Sequence, residues 1–76
     1  MGEVEYRLTE ETESARHITY GICAVDSESG ETYAFRNAIT EDRNRLSALI
    51  GLCNDLKLSL IHLDDVIEDF LHNISS

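Results

Sequence analysis

The sequence predicts an α+β fold in which a three-stranded antiparallel meander is followed by two helices packed on one face of the sheet (β-β-β-α-α). Apolar and polar residues alternate in three stretches of the first half of the chain, a pattern typical of strands with one buried face. In the second half, apolar residues recur every three or four positions, which is typical of amphipathic helices. Short connections between these stretches favour neighbours that are antiparallel.

Three strands are predicted, at residues 3–9, 17–25 and 32–39. The second is expected to be the central strand, because both of its faces are partly apolar. Gly21 weakens a strand interior, so it is expected to mark a bulge or a close neighbour. The acidic stretch at residues 10–16 is either a hairpin loop or the ends of two longer strands.

The two faces of this sheet are expected to differ. The face covered by the helices is predicted to contain Val4, Tyr6, Leu8, Ile18, Tyr20, Ile22, Tyr33 and Phe35. The opposite face is predicted to carry a modestly apolar patch of Thr19, Cys23, Val25, Thr32 and Ala34. Because no element is left to cover that patch, a homodimer through it, or through an edge strand, is one hypothesis for assembly.

Two helices are predicted, at about residues 41–56 and 60–74, with Thr40 and Ser59 as their N-caps. The short connection indicates a helical hairpin or a tight corner. The apolar face of the second helix is predicted to consist of Leu63, Val66, Ile67, Phe70, Leu71 and Ile74. Such a helix is not stable alone in water, so we expect the sheet to cover this face.

Composition limits the classes of partner. The chain has 76 residues, interpreted as a single domain spanning residues 1–76, and its 42% apolar content is enough for one small core. Its net charge of −9 is spread along the chain and repels phosphate backbones and anionic lipids. We therefore expect no nucleic-acid or membrane binding, whereas a basic protein partner is compatible with this charge. No leader-type segment and no run long enough to span a bilayer are visible, so we expect a cytoplasmic protein.

The second helix also carries four carboxylates within six residues, here called the acidic stripe: Asp64, Asp65, Glu68 and Asp69. No basic residue lies between Leu58 and the end of the chain. The stripe could bind a basic protein partner, or it could simply be a solvated surface that keeps the protein soluble.

A second candidate on this helix is a metal site. His62, Asp65, Asp69 and His72 fall within an arc of about 80° on a helical projection. Imidazole and carboxylate groups at this spacing can share one divalent ion. The alternative interpretation is that these residues are the polar face of an amphipathic helix, because a site built from four ligands on one helix strains the coordination geometry.

Catalytic signatures are missing from the sequence. It contains no glycine-rich phosphate loop, no nucleophile elbow and no HExxH motif. Cys23 and Cys53 are interpreted as small apolar residues, since no base is expected beside either thiol. We therefore predict that the chain is not an enzyme and needs no cofactor. The favoured function is a small acidic protein-binding or regulatory module, and the alternative is a module that responds to a divalent metal.

Three segments carry a resemblance to a known family: VEYRLTEE, the Tyr20-Gly21-Ile22 triplet and LCNDLKLSLIHLDDVIEDFL. They resemble a family of short acidic uncharacterised proteins, a domain of unknown function, from anaerobic Gram-positive bacteria. The resemblance covers nearly all of the chain and implies a cytoplasmic protein, without implying an activity, a cofactor or a functional residue. One departure is Leu60, where members of that family often have a proline.

Overall fold

Three antiparallel strands in the order β1-β2-β3 form one sheet, and two α-helices follow them in the chain. The computed structural model describes the backbone of residues 3–75 and the side chains of residues 3–73. The elements are β1 (Val4–Ser14), β2 (His17–Asp26), β3 (Thr32–Thr40), α1 (Arg43–Asp55) and α2 (Leu63–Ser75). A 3₁₀ turn, Leu60–His62, leads into α2 at the place where the second helix was expected to begin. The predicted β-β-β-α-α architecture is confirmed.

The β1–β2 hairpin is longer than the predicted strands. Of the two interpretations of residues 10–16, extended strand ends are correct, because β1 continues until its last residue pairs with His17. Only Ala15 and Arg16 form the turn. The pairing of β2 with β3 begins at Tyr20, so the end of the hairpin is a two-stranded ribbon, and its side chains are exposed except for that of Thr19, which is buried. Ile18, predicted to face inward, lies in this ribbon and is 38% exposed.

A β-bulge interrupts the alternation of β3. Ala24 pairs with Ala34, but the next residue of β2, Val25, pairs with Thr32. Tyr33 is therefore the extra residue on β3, opposite no single partner. An extra residue of this kind shifts the alternation of the strand by one position, so residues two apart across the bulge no longer share a face.

The register of β3 places its alternating side chains on the faces opposite to those predicted, because Ala34 pairs with Ala24 of the core and Phe35 with Cys23 of the outer face. Tyr33 and Phe35 are 43% and 52% exposed, so the prediction that they face the helices is wrong. Ala34 packs against the core instead, which removes it from the outer patch where it was predicted. Phe35 takes its place on the outer face, directly opposite Cys23.

A second, wider irregularity lies at the other end of β3. One residue separates Tyr20 from Ile22 on β2, whereas three residues separate their partners on β3. Among those three, Ala38 has a positive φ of 53°. The backbone of β3 bends towards Gly21, so that a Cβ there would lie 2.8 Å from the Cα of Asn37. Gly21 was predicted to mark a bulge or a close neighbour, and the structure shows both.

The core lies between the sheet and both helices. Its buried members are Tyr6, Ile22, Ala24, Leu46, Ile50, Cys53, Leu63 and Ile67. Since β1, β2, α1 and α2 all contribute to this one cluster, both helices pack on the same face of the sheet, as predicted. Ile74, predicted for the apolar face of α2, lies outside the described side chains.

The N-terminus of α1 differs from the prediction by two residues. The N-cap is Asp42, whose Oδ1 accepts a hydrogen bond from the backbone N–H of Arg45 at 3.1 Å. Thr40 ends β3, and its hydroxyl accepts from the N–H of Asp42 at 3.1 Å. Thr and Asp are both good N-caps, so composition alone does not separate them. Ser59 precedes the 3₁₀ turn in an extended conformation, but its side chain makes no capping hydrogen bond there.

Asn54 of α1 binds the edge of the sheet. Its Oδ1 accepts from the backbone N–H of Tyr6 at 2.8 Å, and its Nδ2 donates to the carbonyl of Tyr6 at 2.9 Å. The hydroxyl of Tyr6 donates to the carbonyl of Leu58 at 2.6 Å, just beyond the end of α1. Because β1 is an edge strand, this amide satisfies backbone groups that would otherwise face solvent. It also fixes the position of α1 on the sheet.

Replacing Asn54 by aspartate tests this contact. At neutral pH, Asn54→Asp is expected to lower the free energy of unfolding by about 1–2 kcal/mol, because a carboxylate cannot donate to the carbonyl of Tyr6. The loss should shrink in acid, where a protonated carboxyl can donate. Urea denaturation at pH 7 and pH 4, each relative to the parent protein, measures both effects. Asn44→Asp, at an exposed position of α1, is the matched control, and an equal loss in both variants would contradict the assignment.

Two buried side chains, Tyr6 and Cys53, are expected to make the folded protein less stable at high pH. Burial, with a smaller contribution from Cys53, raises the pKa of Tyr6, and burial raises the pKa of Cys53. Ordinary values are about 10 for tyrosine and about 8.5 for cysteine, so the unfolded chain releases these protons first. The free energy of unfolding should therefore fall as the pH rises above about 9. In urea denaturation from pH 8 to 11, the free energy of unfolding of Tyr6→Phe should fall less steeply with pH than that of the parent protein. Equal pH dependence of the two proteins would show that ionisation of Tyr6 is not a cause of the fall.

Candidate functional site

A groove of about 540 Å³ lies between α1 and α2, and we call it the interhelical groove. Its apolar lining consists of Leu49, Leu52, Leu58, Val66 and Phe70. All of these except Leu52 are half-buried and pack against the core. Leu52 is 53% exposed, so the groove presents apolar surface to solvent.

The polar margin of the groove comes from one side. It consists of His62, Asp65, Asp69 and Asn73, all exposed. Successive members are three or four residues apart, so they follow one line along the end of the 3₁₀ turn and the body of α2. The interhelical groove therefore combines an apolar lining with an acidic margin on α2, whereas α1 contributes only leucines to it.

The acidic stripe is divided by an ion pair from the sheet. Arg36 of β3 donates from Nε to Asp64 Oδ1 at 2.7 Å and from Nη2 to Asp64 Oδ2 at 3.1 Å. This two-point contact lowers the pKa of Asp64. Within the described residues, Asp65, Glu68 and Asp69 have no ion pair. The stripe available to a partner therefore contains three acids, two of which border the groove.

The four predicted metal ligands are distributed over two depressions. His62 borders the interhelical groove, whereas His72 lines a separate depression of about 290 Å³ with Asp65, Glu68 and Asp69. Across the part of the chain that the structure describes, no group of three or more His, Cys, Asp or Glu side chains could hold a metal ion. The metal-responsive module stays a prediction, with no structural observation in its favour.

The outer face of the sheet is a second exposed surface. Arg7, Cys23 and Phe35 form one row across the three strands, and Val25 is buried beside them. Phe35 makes this patch more apolar than the sequence predicted. The homodimer proposed for this face stays a prediction, and light scattering at two protein concentrations measures it.

The fold and the groove together define a small two-layer α+β domain with an apolar groove and an acidic margin. The chain belongs to the family of unknown function DUF6514, whose model matches residues 2–73. The predicted resemblance to a domain of unknown function over nearly the whole chain is thus confirmed. Comparison with curated proteins and with solved structures gives no match. In the described residues, neither helix has the length and apolar character needed to cross a bilayer.

Proposed function

We propose that this protein is a cytoplasmic binding or regulatory module that receives a basic segment of a partner protein in the interhelical groove. The observation that carries the proposal is the groove itself, with apolar side chains along its lining and carboxylates along one margin. The acidic margin was predicted as a partner site from the sequence, and its position beside an apolar groove supports that hypothesis over simple solvation.

The apolar lining supplies a reason for binding. Apolar surface removed from water contributes roughly 25 cal/mol per Å². Leu52 is more than half exposed although it lies beside half-buried Leu49 and Phe70, so covering the groove would bury it at little structural cost. Contiguous apolar surface of this kind, bordered by polar residues, is typical of interaction sites.

The charges favour a basic partner. Asp65 and Asp69 border the groove, and the whole chain carries a net charge of −9. The negative electrostatic potential that these charges create accelerates encounter with a cationic partner and disfavours an anionic partner. We therefore assign affinity mainly to the apolar lining and partner selection to the acidic margin.

Binding is favoured over catalysis by the surroundings of the carboxylates. General acids and bases usually lie in pockets that shield them from water. Asp65 and Asp69 are exposed on the margin of an open groove. We propose a function in binding that requires no enzymatic step and no cofactor.

Affinity capture from cell extract tests the proposal with two matched variants, one within α1 and one at its C-cap. Leu52→Glu places a charge in the groove, whereas Leu56→Glu changes a 69% exposed leucine that does not line it. A basic protein should be retained by the parent and by Leu56→Glu, and lost with Leu52→Glu. Retention by all three proteins, or no retained protein at all, would contradict the proposal.

A second pair of variants tests the charges. The double variant Asp65→Asn, Asp69→Asn should weaken retention and reduce its sensitivity to salt. Glu28→Gln with Glu31→Gln removes the same formal charge from the exposed β2–β3 connection and should leave retention unchanged. Equal weakening by both double variants would assign the effect to net charge rather than to the groove.

A further inference from the structure

We infer that the basic segment received by the interhelical groove is a single amphipathic α-helix with Lys or Arg residues along one flank. This inference rests on the proposed function and specifies its partner. It follows from the backbone that surrounds the groove, from the length of the groove and from the one-sided position of its acids.

The walls of the groove cannot pair with an extended peptide. They are α1 and α2, whose backbone N–H and C=O groups bond within each helix. Leu58 in the connection is satisfied as well, because its N–H donates to the carbonyl of Cys53 and its carbonyl accepts from the hydroxyl of Tyr6. An extended segment gains its affinity largely from main-chain hydrogen bonds to a strand edge, and the sheet edges belong to β1 and β3. A helix satisfies its own backbone groups, so it can enter an apolar groove without leaving them unpaired.

The length of the groove fits a short helix. Its lining on the α2 side runs from His62 to Asn73, which is about 16 Å at 1.5 Å per residue. That length corresponds to roughly three helical turns, enough for apolar residues at positions i, i+3 or i+4, and i+7. The occupant would complete a layer of three helices.

The acids set the orientation of the occupant. Asp65 and Asp69 lie on the α2 side, whereas Leu49 and Leu52 form the α1 side. The helix should therefore carry its basic residues on the flank that faces α2. A second copy of this chain is disfavoured, because it brings another net charge of −9 to the same margin.

The test is a selection from a displayed library of random 16-residue peptides against the intact protein. Enriched peptides should show apolar residues at helical spacing with Lys or Arg on one flank, and their circular dichroism should become helical on binding. Leu52→Glu should weaken binding about tenfold or more, and Asp65→Asn or Asp69→Asn about two- to fivefold each. Leu56→Glu and Glu28→Gln should change it less than twofold. Leu52→Ala gives a milder second groove variant in case Leu52→Glu perturbs the fold.

The remaining outcomes overturn the inference in distinguishable ways. Groove-dependent peptides that are extended, proline-rich or acidic would overturn the helix but leave the proposed function standing. Enrichment that is insensitive to Leu52→Glu, or no enrichment at all, would overturn the proposed function as well. Sedimentation of the parent protein as a dimer that Leu52→Glu dissociates would identify a second copy as the occupant and overturn the basic helix.

Discussion

Gly21→Ala is expected to lower the free energy of unfolding by about 3 kcal/mol, at the upper end of the usual cost of overpacking. The added methyl would lie 2.8 Å from the Cα of Asn37 and still closer to the carbonyl oxygen of Arg36. Both are backbone atoms of β3, held in a segment where Ala38 already has a positive φ. Neither can move aside like the end of a flexible side chain, so the pairing of β2 with β3 must distort.

Gly51→Ala is the matched control for that substitution. Gly51 lies in α1, and a Cβ there would meet nothing within 4 Å. Because alanine favours a helix interior over glycine, this variant should be stabilised by about 0.5–1 kcal/mol. Urea denaturation of both variants gives the comparison. A Gly21→Ala protein within 0.5 kcal/mol of the parent would show that β3 does not approach β2 as described.

Leu46→Ala is expected to cost about 2–5 kcal/mol, because it removes a fully buried side chain from the centre of the core and leaves a cavity. A chain of this length has a total stability on the order of 4–11 kcal/mol. The variant should therefore be marginally folded at 25 °C, with a much lower urea midpoint.

Leu52→Ala, on the same helix, controls for the loss of a leucine. Its side chain is largely exposed, so the free energy of unfolding should change by less than about 0.5 kcal/mol. A loss comparable to that of Leu46→Ala would mean that Leu52 is buried and that the groove is closed in solution. The same variant thus tests the accessibility of the proposed site.

Periodicity together with the short connections was sufficient to predict the elements and their arrangement. The alternation at Val4, Tyr6 and Leu8 located β1, and the helical spacing of Leu63 and Ile67 located α2 with the correct face inward. These patterns are local, because each reports burial of one face of a single element. The placement of both helices on one sheet face followed from the short connections.

The faces of β3 could not be predicted in the same way. Phe35 and Ile39 would share a face in an uninterrupted strand, but the irregular pairing between Arg36 and Thr40 separates them, so that Ile39 packs against the core and Phe35 is exposed. Bulges depend on pairing with the neighbouring strand, which the sequence of one strand does not specify. Gly21, which lies opposite that segment of β3, was the only local sign of irregular pairing.

The sequence predicted the acidic margin of the candidate site but not its apolar groove. Asp65 and Asp69 were assigned to a partner-binding face, but the apolar groove beside them depends on how α1 sits next to α2. One signal was present in α1, whose apolar residues larger than alanine span an arc of about 160°, wider than one buried face requires. Leu52 lies at the edge of that arc. The ion pair between Arg36 and Asp64 joins residues 28 positions apart and left no local signal.

The central claim is that a partner binds in the interhelical groove, and amide chemical shifts measure this directly. ¹H–¹⁵N spectra of the parent protein, titrated with the tightest peptide from the selection, should change along the groove at Leu52, Val66 and Phe70. The outer sheet face at Cys23 and Phe35 should stay unchanged. Shift changes confined to that outer face, with the groove unaffected, would contradict the claim.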